Sequence, residues 1–391
     1  MASLFTRSFV ALLATQACFG FSFSSFFLLP TFMTRELAAG PDDIGRVTAC
    51  FYVTAVLLGP WMGSVVDRRG RRRFLTAGAL LMAVVSVGFV AVDGMGPLIF
   101  ALRTLQGVAF AMAFVAGSAL AVDEAPPERL ALALGIFGLT MLSNNAIAPV
   151  AVEEIARHAG WAPAFMLASA AALVSAVLSL RIRERVRAEP EAPIPRLLDV
   201  MRRPGAARVG LVIALAGAAF GTMFTFPQPF ALELGMDRVR SFFVAYTAAA
   251  LVARLGLGPF TDRLGRRPVS LVALALYSVA TAAAAQLESL GLAAVGGAFG
   301  LAHGLFYPTF NALAVQDTGE RERGKAMALF NGAFNVGYAC GVFGLGLLAE
   351  AVGYPPVFRV AALCAACAFL VLAISRRPRL RRSRAGPASA A

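Results

Sequence analysis

Apolar residues in this chain fall in long continuous runs, and polar residues gather in short clusters between them. Twelve such runs lie near residues 9–33, 44–66, 74–93, 97–121, 131–152, 163–182, 208–230, 241–261, 268–287, 290–315, 326–349 and 357–375. A helix needs roughly 20 apolar residues to cross a bilayer, and each run has about that length. The runs do not alternate as lipid-facing strands of a barrel would, so they read as helices, which satisfy their own backbone groups in lipid. Glycine and proline interrupt several of them, as membrane helices tolerate. The pattern predicts an all-α integral membrane protein with twelve transmembrane helices. The first run continues past residue 30, and Cys18 follows Gln16-Ala17 outside a cleavage context, so the run is read as the first span and not as a cleaved signal.

The polar clusters repeat. Gly63-Ser-Val-Val-Asp67-Arg68-Arg-Gly70-Arg71-Arg72 ends the second run, and Gly258-Pro-Phe-Thr-Asp262-Arg263-Leu-Gly265-Arg266-Arg267 ends the eighth, at an offset of 195. Ser118-Ala-Leu-Ala-Val122 matches Asn311-Ala-Leu-Ala-Val315 at an offset of 193, as Gly160-Trp161-Ala-Pro163-Ala-Phe165 matches Gly353-Tyr354-Pro-Pro356-Val-Phe358. The repeat predicts a six-helix bundle over 1–182, a cytoplasmic linker over 183–207, a second six-helix bundle over 208–375 and a basic cytoplasmic tail over 376–391. Parallel six-helix repeats are one architecture of secondary transporters, with solute bound between the halves near the midplane.

Composition sets the surroundings. Hydrophobic residues are 59% of the chain and charged residues 15%, where soluble domains carry about a quarter charged. Of the 35 Lys and Arg, 27 fall in the N-terminus, the even-to-odd connections and the tail, six on the other side, and two, Arg103 and Arg254, inside runs. That asymmetry puts both termini in the cytoplasm of a multi-pass (inner) membrane protein. It also accounts for the net charge of +13, so nucleic-acid binding is not the reading of the high pI. Within the linker, Ile194, Leu197, Leu198 and Met201 stand at helical spacing among arginines, predicting an amphipathic helix on lipid headgroups.

The repeated Gly-x-x-x-Asp-Arg-x-Gly-Arg-Arg loop resembles the signature loop of the major facilitator superfamily (MFS), and the resemblance extends over essentially the whole chain. It implies a latch that closes the cytoplasmic side through Gly63, Asp67, Arg68, Gly70 and Arg71 and through Gly258, Asp262, Arg263, Gly265 and Arg266. Glycines at 63 and 258 would let neighbouring helices approach closely. Asp123, at the inner end of the fourth run, would join the latch near Arg71 or Arg129, and Arg254, two turns before Asp262, would join the inner gate. The alternative is a static salt-bridged turn obeying the charge rule.

Arg103-Thr-Leu-Gln106-Gly107 in the fourth run resembles the Arg-x-x-Gln-Gly signature of proton-coupled members, which implies that Arg103 tunes a proton-carrying acid or binds substrate. A charge inside a span costs a few kcal/mol and usually faces a partner or a watery cavity; the alternative is an arginine that snorkels and anchors packing. The nearest acids are Glu153 and Glu154, toward the outer end of the fifth run. Gly135 and Gly138 are present there, but Asn144-Asn145-Ala-Ile-Ala148-Pro149 departs from the glycine-rich end of the antiporter signature, leaving direction and coupling open. His303, alone in the tenth run, could carry a proton, bind substrate or be hydrogen-bonded in the core.

Gln16, Phe23, Tyr52, Asn144, Asn145, Phe220, Phe224, Gln228, Tyr246, His303, Tyr307, Asn331, Asn335 and Tyr338 sketch a cavity on the runs that line the path in similar transporters. Aromatics mixed with amides suit an amphiphilic organic solute. The five cysteines lie in runs, without the access or partners of a redox or zinc site. There is no phosphate-cradling Gly-x-x-x-x-Gly-Lys-Ser loop, and Lys325 is the only lysine, so ATP is not the energy source within this chain. No catalytic constellation, cofactor or metal site is visible. The expectation is a monomeric secondary transporter, not an enzyme, whose partners are a small-molecule solute, protons and membrane lipids. It would work by proton-coupled efflux of a drug-like or metabolite molecule. The alternatives are a proton-coupled or facilitative importer of a sugar, carboxylate or similar metabolite, and a non-transporting membrane receptor or scaffold.

Overall fold

The computed structural model describes residues 4–184, 205–256, 264–314 and 323–374, and these are helical almost throughout. The first half contains α1 (Arg7–Ser25), α2 (Leu29–Glu36), α3 (Pro41–Arg69), α4 (Arg71–Gly88), α5 (Pro97–Glu124), α6 (Leu130–Ala159) and α7 (Trp161–Ser179). The second contains α8 (Ala206–Thr225), α9 (Pro227–Glu233), α10 (Arg240–Gly256), α11 (Arg266–Ala283), α12 (Leu287–Ala314), α13 (Arg323–Val352) and α14 (Tyr354–Ile374).

Short α2 and α9 continue α1 and α8 after a break, so each pair forms one span. Nine stretches are long and apolar enough to cross a membrane, and a tenth, Pro41–Gly59 with Trp61–Arg69, is bent. One of the nine, Arg266–Asn311, is two helices that turn at Gly291, which has a positive φ of 75°. With α10, whose described part ends at Gly256, the spans number twelve. Large apolar side chains such as Trp61, Val84, Val279 and Leu363 stand exposed around the molecule, as lipid contact requires and water disfavours.

Local chemistry sets the helix ends. The Thr6 hydroxyl accepts the Phe9 N–H at 3.0 Å and caps α1. Pro41, Pro97 and Pro227 stand in the first turn, where a missing N–H costs nothing. Gly70 and Gly265 have φ of 102° and 85° at the sharp turns before α4 and α11, a region that disfavours any side chain.

The repeat is visible in the packing. In the first half α1 packs on α6 and α7, α3 on α5, and α4 on α5 and α7; in the second α8 packs on α13 and α14, α10 on α12, and α11 on α12 and α14. Arg72 reaches the Ile182 carbonyl after α7, and Arg267, its repeat equivalent, reaches the Leu372 and Ala373 carbonyls of α14. Small residues permit these crossings, as where Gly78 lies against the backbone of Ala109 and Ala113. Most of the expected linker helix, the second loop from 257 to 263 with Gly258, Asp262 and Arg263, and the tail from 375 onward lie outside the described residues.

Candidate functional site

The two halves meet along α3 against α13 and along α6 against α10. These contacts gather on the face away from Asp67, Arg71 and Asp123. We call the latter the basic face and the former the opposite face. On the opposite face, a Cβ on Gly40 would meet the Glu350 carboxylate at 2.7 Å, and Gly45 lies against the Val342 carbonyl and Gly346. The Gln228 amide donates to the carbonyls of Phe27 (2.8 Å) and Phe224 (2.9 Å) and accepts the Thr31 hydroxyl at 2.9 Å. Arg35 donates to the Asp237 carbonyl at 3.0 Å.

Glu153, only 3% exposed, accepts the Val239 N–H at 2.8 Å and the Arg240 N–H at 3.1 Å at the start of α10. A carboxylate at a helix N-terminus meets unpaired N–H groups and the positive end of the dipole. Arg240 adds ion pairs to Glu153 and Glu154. Glu153 and Glu154 therefore join the halves at α10 and do not lie beside Arg103.

Toward the basic face, added Cβ atoms on Gly59, Gly63, Gly135, Gly138, Gly256 and Gly332 would meet nothing within 4 Å among the described residues. Among the described residues, nothing makes the close approach expected at Gly63. The signature loop is instead tied within its own half. Arg71 donates to Asp67 through Nε at 2.9 Å and Nη2 at 2.7 Å, pairs with Asp123, and donates its backbone N–H to the Glu184 carboxylate. Asp123 thus joins Arg71, while Arg129 ends a short 3-10 turn before α6 and Arg68 is exposed. Gly265 and Arg266 begin α11 as Gly70 and Arg71 begin α4.

A pocket between the halves, beneath the Thr31–Gln228 contact, is lined by Phe23, Phe27, Tyr52, Phe224 and Tyr338 together with Arg103. Tyr52 of α3 and Tyr338 of α13 stack at 3.5 Å across the interface. Arg103 is 7% exposed, donates through Nη1 to Gln106 Oε1 at 2.7 Å, and lies 5.0 Å from the centre of the Phe51 ring; its Nε has no partner. Phe26, Pro30, Thr48 and Thr225 also line this pocket and were not picked out from sequence. They belong to helix breaks and cross-half packing, which apolar periodicity does not encode.

Other predicted residues disperse. Gln16 is fully buried with neither side-chain polar atom bonded. Asn144 donates to the carbonyls of Ala17 and Thr140, and Asn145 accepts Ser24, so both tie α6 to α1. His303 meets the Tyr277 hydroxyl at 3.1 Å inside the second half, among the rings of Phe220, Tyr246, Phe299 and Tyr307. The Arg254 guanidinium lies 5.2 Å from the centre of the Tyr307 ring. Asn335 and Asn331 are half-buried one and two turns beyond Tyr338 toward the basic face.

The sequence profile of the Major Facilitator Superfamily matches residues 10–253 and 209–390. The chain belongs to that superfamily. It is 20% identical over 371 residues to the staphylopine export protein of Staphylococcus aureus (strain Mu50), covering 91% of each chain. It is 25% identical to the multi-drug resistance efflux pump PmrA of Streptococcus pneumoniae, covering 90% of this chain and 92% of that one. Among solved structures, the nucleoside transporter NupG superposes with a TM-score of 0.78 at 13% identity, over 94% of this chain and 99% of that one. Fold and relatives are those of multi-pass membrane transporters that handle small-molecule solutes.

Proposed function

We propose that this MFS protein exports a small amphiphilic organic solute by rocking its two halves about a central pocket, with protons moving the other way. The observation that carries the reading is the set of cross-half contacts on the opposite face, Thr31 to Gln228 and Glu153 to the start of α10, while Gly59, Gly63, Gly135 and Gly138 have open space among the described residues. With the basic face cytoplasmic by the charge rule, this is the inward-facing state of a monomer in the inner membrane. Two relatives named above are export proteins, which favours efflux over uptake.

In this reading Asp67, Arg71 and Asp123, with the second loop's Gly258, Asp262 and Arg263, form the latch for the other closure, and Arg254 adjoins it. Glu153 is the proton carrier. Its charge is stabilised by the α10 N-terminus, and neutralising it weakens that cross-half contact. His303 stays a packing residue of the second half.

The test is transport in proteoliposomes with a pH-sensitive dye inside, with amphiphilic drugs and metabolites screened under an imposed proton gradient. Solute movement accompanied by opposite proton flux is expected, and Asp67→Asn should slow it about tenfold with insertion unchanged. Solute movement without proton flux would overturn the coupling. No movement for any solute would overturn the transport reading.

A further inference from the structure

Among the described residues, Arg103 has no carboxylate within ion-pairing distance, yet it is more than nine-tenths buried on the wall of the pocket between the halves. Pro97 begins α5 six residues earlier, which places Arg103 about 9 Å below that helix end at 1.5 Å per residue. A guanidinium carries five N–H donors. Gln106 takes one, the Phe51 ring offers a face, and Nε stays unpaired. A buried cation left this way is costly, and in a bilayer such residues mark solute or ion paths.

The fold itself does not require this cation. Gly107 of α5 packs on the Phe51 carbonyl of α3, and Gly300 of α12 packs on the Tyr246 carbonyl of α10, so the two crossings are equivalent, the glycines at an offset of 193 and their partners at 195. At the α5-to-α12 offset of 193, Arg103 corresponds to Gly296, which packs closely on Phe242. One half makes the crossing with glycine, and the other carries a charge facing the pocket.

We infer that the pocket of this proposed transporter, narrow here and widened when the Tyr52–Tyr338 pair separates, selects a monoanionic organic solute: a carboxylate received by Arg103, on a flat apolar body packed against Phe27, Phe224 and the two tyrosines. A planar guanidinium matches a carboxylate in bidentate geometry, and the single charge on the wall matches a single negative charge on the solute. Aromatic rings prefer edge or offset contact with one another, and Phe27 already meets Phe224 edge-on at 5.2 Å, so a ring-bearing solute continues an existing cluster. Among the described residues no acid lines the pocket, so an amine of the same shape meets an unopposed positive charge.

The inference rests on the transport reading for its biological sense, and its test separates the two. Tritiated naphthaleneacetate is bound to the full-length protein in nanodiscs and competed with unlabelled naphthaleneacetate, neutral naphthaleneacetamide and cationic naphthylmethylamine. The amide and the amine are expected to compete at least about tenfold more weakly than the acetate. Arg103→Gln should remove that preference, and Arg103→Lys should keep the anion ahead of the amide with reduced affinity. Equal competition by the amide or amine, unchanged anion binding in Arg103→Gln, or no binding of naphthaleneacetate overturns the inference. The charge series on the unaltered protein decides even where Arg103→Gln fails to fold. Arg103-dependent binding without solute flux in dye-loaded vesicles would sink the transport reading and leave the anion site standing. Flux of a cation such as ethidium that is untouched by Arg103→Gln would do the reverse.

Discussion

Glu153 joins a side chain of one half to the backbone of the other, so in the proposed cycle its charge would act directly on the balance between conformations. Both carboxylate oxygens accept N–H groups at the start of α10, and Arg240 lies alongside. Hydrogen bonds to a charged group contribute about 1.5–3 kcal/mol, and about 1.4 kcal/mol shifts an equilibrium tenfold. Glu153→Gln should therefore open the opposite face by about tenfold or more. The measurement is labelling of Thr48→Cys, in a background lacking the native cysteines, by an impermeant maleimide added on that side. Unchanged labelling would make Glu153 a passive cap. Sequence singled out Glu153 as an acid near the end of a span, and could not show its partners, because the backbone amides of Val239 and Arg240 carry no side-chain signature. Arg103 was legible for the opposite reason: a charge inside an apolar run stands out without any structure. Gln228, expected to touch solute, holds Thr31 and two carbonyls here, an arrangement set where α9 breaks from α8 at Pro227.

Glycines along α3 record which end of the helix is packed. Gly45 has no room for a side chain beside Val342 and Gly346, whereas Gly63, five turns on, has open space. Gly45→Val should prevent closure of the opposite face, and Gly63→Val should prevent closure of the basic face that the transport cycle requires. Each should cut transport at least about tenfold, with labelling trapped on opposite sides of the membrane: Gly45→Val open to the opposite face, Gly63→Val open to the basic face. The same sidedness for both would refute the scheme. The helices were legible from their apolar runs, and the pairing of the halves from loop repeats at offsets of 193 and 195. The breaks that make α2 and α9 separate helices were not, because proline and glycine are tolerated in straight membrane helices as well as in broken ones. Nor does sequence carry the conformation: the expectation of close packing at Gly63 belongs to a state with the basic face shut.

Over the whole molecule, the equivalent helix pairs of the two halves imply that each face can close by equivalent contacts, one at a time. The opposite face closes here through α3 on α13 and α6 on α10, the pairs that the repeat exchanges. If the halves rock as bodies and the pocket fills from the basic side, fastening the opposite face must stop turnover without emptying the pocket. Thr31 and Gln228 supply the fastening point, being 2.9 Å apart across the interface at the start of α2 and α9. Thr31→Cys with Gln228→Cys, joined by a short thiol-to-thiol cross-linker cleavable by reductant, should abolish transport, and reduction should restore it. Solute binding in nanodiscs should persist in the joined protein within about twofold. Continued transport after complete joining would mean that local movement of α2 and α9 is not the route, and that the halves need not separate on this face. Loss of binding together with transport would mean that the pocket fills only from the opposite face, which would reverse the direction assigned to the cycle.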